Sequence, residues 1–286
     1  MPFSSAIAAD QSPPVAPHPA PLPPVANINL LGVRISALNL PEAAWRIIQA
    51  VHRGDRGYVC VCGAHGLVDC QTDPDLKRVF NEAYLATPDG MPLVWELHRR
   101  GHSQAGRVYG PDLMLELFDQ GQQLGLRHYL YGATPETLGK LQRGLLKKSP
   151  NAQIVGSYSP PFRPLSGEEE EDIARTINEA APDIVWVGLS APKQERWMAR
   201  MRDKLEAPIL IGVGAAFDFH AGNIPQAPKR MQQAGLEWLF RLAAEPRRLW
   251  RRYFRVVPMY LYLLALQRLG WRRFPLPQGD RAEQTG

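Results

Sequence analysis

From residue 58 onward the chain alternates short, almost wholly apolar runs with longer amphipathic stretches, and this alternation limits the architectures open to it. The runs YVCVCG (58–63), RHYLYGA (127–133), AQIVGSY (152–158), PDIVWVGLS (182–190) and APILIGVGAAF (207–217) read as buried strands. Helical patterns stand between them: one begins at Pro41, which suits a first helical turn, and others cover 111–125, 135–148, 168–180 and 192–204. The stretch 73–85 reads as a helix running into a short strand, and NINLLGVRISAL ahead of it all as a strand or a short hairpin. Strands separated by helices need crossover connections, which implies a mainly parallel sheet covered on both faces. The fold class is therefore α/β, with a Rossmann-like domain over residues 27–244 and no internal repeat.

Other features bound the function. No apolar run approaches the roughly 20 residues needed to span a bilayer. The first 26 residues hold eight prolines and no basic segment followed by an apolar core, so they read as an extended, disordered arm rather than a signal peptide. Cys60, Cys62 and Cys70 form no C-x-x-C pair and read as small apolar residues in a reducing compartment. The net charge is +5, but residues 245–274 carry eight arginines and one glutamate, leaving −2 for the remainder. The basicity is confined to that appendage, and 275–286 reads as a flexible tail.

Ligands of open parallel sheets bind outside the carboxyl ends of the strands, so the segments that follow strands hold the candidate site. In LATPDGMPLVW (85–95), Asp89 sits between Pro88 and Gly90. It can serve as a general base beside a cleft, or merely stabilise its own turn. In PKQERW (192–197), Lys193 and Gln194 lie at a helix start suited to a diphosphate or a sugar hydroxyl, although a solvated helix start explains them too. GVGAAFD (212–218) lacks the third glycine of a dinucleotide fingerprint. Its Asp218 can accept from a ribose or cap a helix. Asp73-Pro74-Asp75 spells the D-x-D of metal-dependent sugar transfer, yet cap, first-turn proline and first-turn acid describe it better. EEEED (168–172) reads as a solvated helix start. His65 and His220 follow strands without metal-ligand spacing.

The appendage interleaves Arg247, Arg248, Arg251, Arg252 and Arg255 with Trp250, Tyr253 and Phe254. VVPMYLYLLAL (256–266) follows. Eleven apolar residues are too few to span a bilayer but can lie in its interface, with aromatics at headgroup level and arginines on anionic lipid. Nucleic acid is the competing partner, and an oligomer contact through Leu263, Leu264 and Leu266 is a third reading.

Taken together, TPDGMPLVW, RVYGPDLM, PDIVWVGLSAPKQERWM and IGVGAAFDFHAG…APKRMQQAGLEWLFRLAAEPRRLWRRYF resemble the WecG/TagA/CpsF glycosyltransferases over about residues 28–256. The resemblance implies an inverting enzyme at the cytoplasmic face of a bacterial inner membrane, needing neither metal nor other cofactor. It would move a sugar from a UDP-sugar to a monosaccharide on undecaprenyl diphosphate, with no nucleic-acid partner. It implies Asp89 as the general base, and Thr87, Gly90, Arg107, Gly110, Asp112, Lys193, Gln194 and Asp218 as donor- and substrate-binding positions. Arg247, Arg248, Arg251 and Arg252 would meet the departing diphosphate or the membrane. Where many members carry Thr and Asn on the second long strand, this chain has Cys60 and Cys62, poor hydrogen-bonding groups. The CGAHG and PDGMP variants look most like the branch that adds glucose to a lipid-linked glucose in xanthan-like exopolysaccharides. A non-catalytic membrane- or nucleic-acid-binding protein on the same fold, or an NAD-dependent oxidoreductase, are the alternatives.

Overall fold

The computed structural model describes residues 22–277. The apolar runs form six strands: β3 (Gly57–Cys62), β4 (Leu85–Pro88), β5 (Arg127–Gly132), β6 (Gln153–Tyr158), β7 (Ile184–Gly188) and β8 (Ile209–Gly212). They pair in parallel throughout, in the order β4-β3-β8-β7-β5-β6. A separate antiparallel hairpin, β1 (Asn27–Leu30) and β2 (Val33–Ser36), precedes them.

Alternation along each strand sends side chains to two cores. Val59, Leu130, Trp186 and Ile211 face one, packed under the helices α1 (Leu40–Arg53), α5 (Gly110–Leu124), α6 (Pro135–Lys148) and α9 (Ala216–His220). Tyr58, Cys60, Cys62, Tyr131 and Val187 face the other, with the hairpin. That side carries α2 (Ala64–Asp69), α3 (Pro74–Glu82), α7 (Gly167–Glu179) and α8 (Lys193–Met201). With both faces covered, the strands tolerate no polar alternation, which is why they read as continuous apolar runs. All three cysteines are buried, and burial pushes their thiols up, Cys70 to about 12.

Local chemistry sets the helix ends. The Asp73 side chain accepts from the Leu76 amide at 2.9 Å, with Pro74 in the first turn, and its other oxygen pairs with Arg196. Asp73 is thus committed to capping and an ion pair. Ser166 and Glu169 form a capping box at the start of α7. The acidic run there is not wholly a solvated face, because Glu170 is buried and takes Arg200 at 2.6 Å. Leu22 to Ala26, the end of the Pro-rich arm, lies over α1, where Arg46 donates to the Pro23 carbonyl at 2.8 Å. The rest of the arm and residues 278–286 lie outside the described residues.

Three helices end the described chain: α10 (Lys229–Gln233) and α11 (Glu237–Ala244), then α12 (Pro246–Arg268), which carries the appendage. It is part of the body. Val256, Tyr260, Leu263 and Leu264 form a stripe at helical spacing that buries into the core shared with α2 and the hairpin, and Leu249 is buried at the helix start. Burying each such side chain is worth about 1.5–3 kcal/mol. Leu263 and Leu264 are therefore spent inside the chain rather than left for an oligomer contact. Polar bonds fasten the helix end: Gln267 accepts from the Leu31 amide and donates to the Asn29 carbonyl, both at 3.1 Å. Leu31 itself holds a left-handed conformation (φ 54°) beside Gly32 (φ 81°), the pairing that closes a two-residue hairpin turn.

Candidate active site

The carboxyl ends of β3 and β4 lie side by side and set the first half of the site. The Asp89 amide donates to the Cys62 carbonyl at 3.0 Å, which fixes the residue just past β4. Gly90 then caps α4 (Met91–Arg99), with Pro92 in its first turn. A Cβ at Gly63 would meet the His65 ring at 3.0 Å and lie 3.9 Å from Asp89 Oδ2. The bare glycine thus lets the histidine and the acid face each other.

Arg107 supplies the second half. Its Nε donates to the Asp89 main-chain oxygen, and its Nη2 lies 3.4 Å from Asp89 Oδ1 and 2.5 Å from Glu237 Oε2. Nη1 donates to Gln232 Oε1 at 3.3 Å, and the guanidinium lies over the Tyr109 ring at 4.0 Å. Gln232 and Glu237 belong to α10 and α11, just ahead of the appendage, so these helices fold onto the sheet edge over Asp89. The Asp89 side chain keeps 26% of its surface exposed and stays reachable.

Electrostatics follow from this packing. Burial pushes the Asp89 carboxyl up to about 6; Arg107 opposes the rise and Glu237 adds to it. Burial also holds the His65 imidazole down to about 3, with Arg252 and then Arg241 adding to the effect, so the ring is neutral. Arg241 acts on Asp89 as well, and its guanidinium lies 5.7 Å over Phe219. The cleft therefore holds an acid tuned toward neutrality, a neutral imidazole and cations drawn from the C-terminal helices.

Several expected site residues lie elsewhere. Thr87 is wholly buried in β4 and its hydroxyl has no partner among the described residues, so it offers no surface to a substrate. Gly110 packs against the Val213 main chain just past β8, where a Cβ would make only ordinary contact at 3.4 Å. Asp112, exposed in the first turn of α5, is within the field of Arg107 and Lys229. Asp218 accepts from Asn223 at 3.1 Å and steadies the turn after α9. Gln194 is buried against Gly212 and Gly214; it donates to Glu195 at 3.0 Å, and its own oxygen has no partner among the described residues. Lys193 is exposed and lines a different cavity, of about 530 Å³, at the ends of β5 and β7. Tyr131, Trp197, Arg196 and Arg200 share that lining. Gly188 there lies so close to Phe217 that a Cβ would come within 2.3 Å of the ring.

Of the appendage arginines, Arg252 bears on His65 and on the buried Glu195. Arg251 lies over Trp250 at 5.4 Å, Arg255 pairs with Asp69 at 2.6 Å, and Arg247 is exposed. The Arg248 side chain lies outside the described residues. Glu237, Arg241 and Tyr109 were missed in the sequence, where Glu237 and Arg241 showed only as an i, i+4 pair on a short helix. Among the described residues, no group of three or more His, Cys, Asp and Glu side chains forms a metal-ligand set.

An acid at the carboxyl edge of a parallel sheet, with arginines from the C-terminal helices near it, lies where open α/β enzymes bind their ligands. Residues 28–274 match the glycosyl transferase WecG/TagA/CpsF family, and the chain belongs to it. The match extends through α12, so the appendage is a family feature. The protein is a glycosyltransferase, and the oxidoreductase and non-catalytic readings give way.

Proposed function

We propose that the protein is an inverting, metal-independent glycosyltransferase. It would move a hexosyl or N-acetylhexosaminyl group from a UDP-sugar to a hydroxyl of a polyprenyl-diphosphate-linked monosaccharide. The observation that carries this reading is Asp89, an acid at the sheet edge that is raised to about 6 and still open to solvent. In a single displacement, the acceptor hydroxyl gives its proton to Asp89 as its oxygen attacks the anomeric carbon. The bond from that carbon to the UDP oxygen breaks on the opposite face, which inverts the centre. The leaving diphosphate gains negative charge, which Arg241 and Arg252 are placed to stabilise. Arg107, committed to two acids and a glutamine, orients Asp89.

The cavity at β5 and β7 suits the nucleotide, with Trp197 and Tyr131 as its apolar wall and Lys193, Arg196 and Arg200 as cations. It lies three to four strand steps from β4, about 14–19 Å at the usual spacing, a span for an extended nucleoside diphosphate with its sugar directed at Asp89. Glucose added to a lipid-linked glucose, as in exopolysaccharide synthesis, is the pair to test first. UDP release is measured across a panel of UDP-sugars with that acceptor and a chelator present. One productive donor is the expected result. Release from none, with the fold intact, would overturn the proposed substrates.

The acceptor's lipid sets the place of action, the cytoplasmic face of a bacterial inner membrane. No helix of the described residues is long and apolar enough to cross a bilayer. The outer face of α12 and the turn after it expose Trp250, Phe254, Leu261, Tyr262 and Trp271 among Arg247, Arg251, Arg272 and Arg273. This face suits an anionic bilayer surface. Cosedimentation should be strong with vesicles containing an anionic phospholipid and weak with zwitterionic ones. Phe254→Ser with Trp271→Ser should weaken it at least about tenfold. Equal binding to both vesicle types would remove the electrostatic part of the proposal.

A further inference from the structure

Arg107 divides its bonds unevenly. The same Nη2 that reaches Glu237 at 2.5 Å lies 3.4 Å from the Asp89 carboxylate. Both partners of the shorter bond are largely buried, at 15% and 14% side-chain exposure. An arginine beside a carboxylate ordinarily closes into a tight, often bidentate pair. Such a pair would occupy the Asp89 oxygens and pull the acid down, making it a poor base. Here the guanidinium is tied through Nε to the Asp89 main-chain oxygen and held from the carboxylate by Glu237 on one side, by Gln232 at 3.3 Å and by the Tyr109 face beneath it. Gln232 is itself steadied, donating to the Ala227 carbonyl at 2.7 Å.

We infer that Glu237 is a positioning residue for the transfer reaction: it holds Arg107 at 3.4 Å from Asp89 Oδ1, short of a tight bidentate pair, leaving Oδ2 for the acceptor hydroxyl, and it does so from α11, folded over the sheet edge. The inference rests on Asp89 being the base. It deepens that reading by making the strength of the base depend on a residue of α11.

The groups that face Asp89 are Arg107 from the loop before α5, Glu237 and Arg241 from α11, His65 from α2, and the thiol of Cys62 and phenol of Tyr109. His65 is neutral. The Tyr109 phenol is raised by burial and then by Glu237 and Asp89, and the Cys62 thiol is likewise raised. Neither loses its proton near neutral pH. Only Glu237 adds a full negative charge beside the acid, so removing that charge has one sign: Asp89 must titrate lower.

The test follows the Asp89 carboxyl by carbon-13 NMR of the full chain labelled at aspartate, the resonance being identified by its loss in Asp89→Asn. Glu237→Gln keeps the shape and removes the charge. It should lower the Asp89 titration by about one pH unit and carry the acid limb of kcat/KM down with it. At pH 8, kcat should fall about tenfold with the donor KM nearly unchanged. Glu237→Asp, which restores the charge, should titrate close to the wild type. An unmoved Asp89 titration in Glu237→Gln would overturn the inference whatever the activity, and so would a loss of kcat with the acid limb in place, the mark of a purely structural role. If Asp89→Asn keeps full activity while the titration shifts, the base assignment fails and the electrostatic coupling stands.

Discussion

Asp89→Asn is expected to lower kcat by about 10²–10⁴-fold while the protein stays folded. The amide fills the same space, keeps the main-chain bond to Cys62 and leaves Arg107 its bond to the residue 89 carbonyl, but it cannot accept a proton. The accompanying signs make the test sharper. Asp89 works as a base only when ionised, and burial raises it to about 6. Wild-type kcat/KM should therefore be flat above pH 7 and fall about tenfold per unit below pH 6. Stability carries the opposite sign. A carboxyl raised on folding costs stability once pH exceeds its unfolded value of about 3.9, and the full cost is present above its folded value. Asp89→Asn removes that cost, so at pH 7.5 its Tm should equal or exceed that of the wild type. Activity lost together with stability kept or gained is what a catalytic acid held against its preference must give. UDP release within threefold of the wild type would return Asp89 to the bland role of holding its own turn.

The second large effect is expected at Glu96, in α4. Its side chain is fully buried and meets Arg99 at 3.0 Å, Arg100 at 3.8 Å and, across the fold, Arg268 near the end of α12. Burial alone would raise this carboxyl. Hydrogen bonds from Arg99 and Arg268 outweigh burial and hold it below its ordinary value. Its arginine partners keep 26–48% of their surface exposed and can be hydrated once Glu96 is gone, so Glu96→Ala should cost about 1–2 kcal/mol and lower Tm by a few degrees. The loss should be local first, because Arg268 is the tie between the appendage and α4. Trypsin cleavage at Arg268 and Arg272 should accelerate more than cleavage in the parallel sheet. Unchanged cleavage there, with Tm lowered, would show that the buried stripe alone fastens the helix. The pH dependence runs opposite to that of Asp89. The Glu96 contribution is complete above about pH 4.3, its unfolded value, and is lost as pH falls through the lower folded value.

Much of this was legible in the chain because it is encoded locally. The two-residue period in PDIVWVGLS places Ile184 and Trp186 on one face and Val185 and Val187 on the other, as found. Asp73-Pro74 marks a helix start by its own chemistry, and the parallel class follows from strands separated by helices. Asp89 was visible as an acid fixed by prolines past a strand. The 245–274 segment was legible only in part. Its arginines concealed the stripe of Val256, Tyr260, Leu263 and Leu264, since scattered charge lowers any measure of amphipathicity along so long a helix. Thr87 belongs to the same motif as Asp89, and only the structure shows it buried within β4.

The sequence by itself determined which segments become strands and helices, that the strands run parallel, and that an acid stands at the edge where such sheets bind ligands. Period, caps and turns act over a few residues, so they survive without knowledge of the whole. Only the tertiary structure decided the order β4-β3-β8-β7-β5-β6 and the company Asp89 keeps. Arg107 and Glu237 are 130 residues apart, and Arg268 and Glu96 are 172 apart. No local pattern pairs side chains over such distances; they meet because two separate apolar faces, one on the sheet and one on the C-terminal helices, leave water against the same surface.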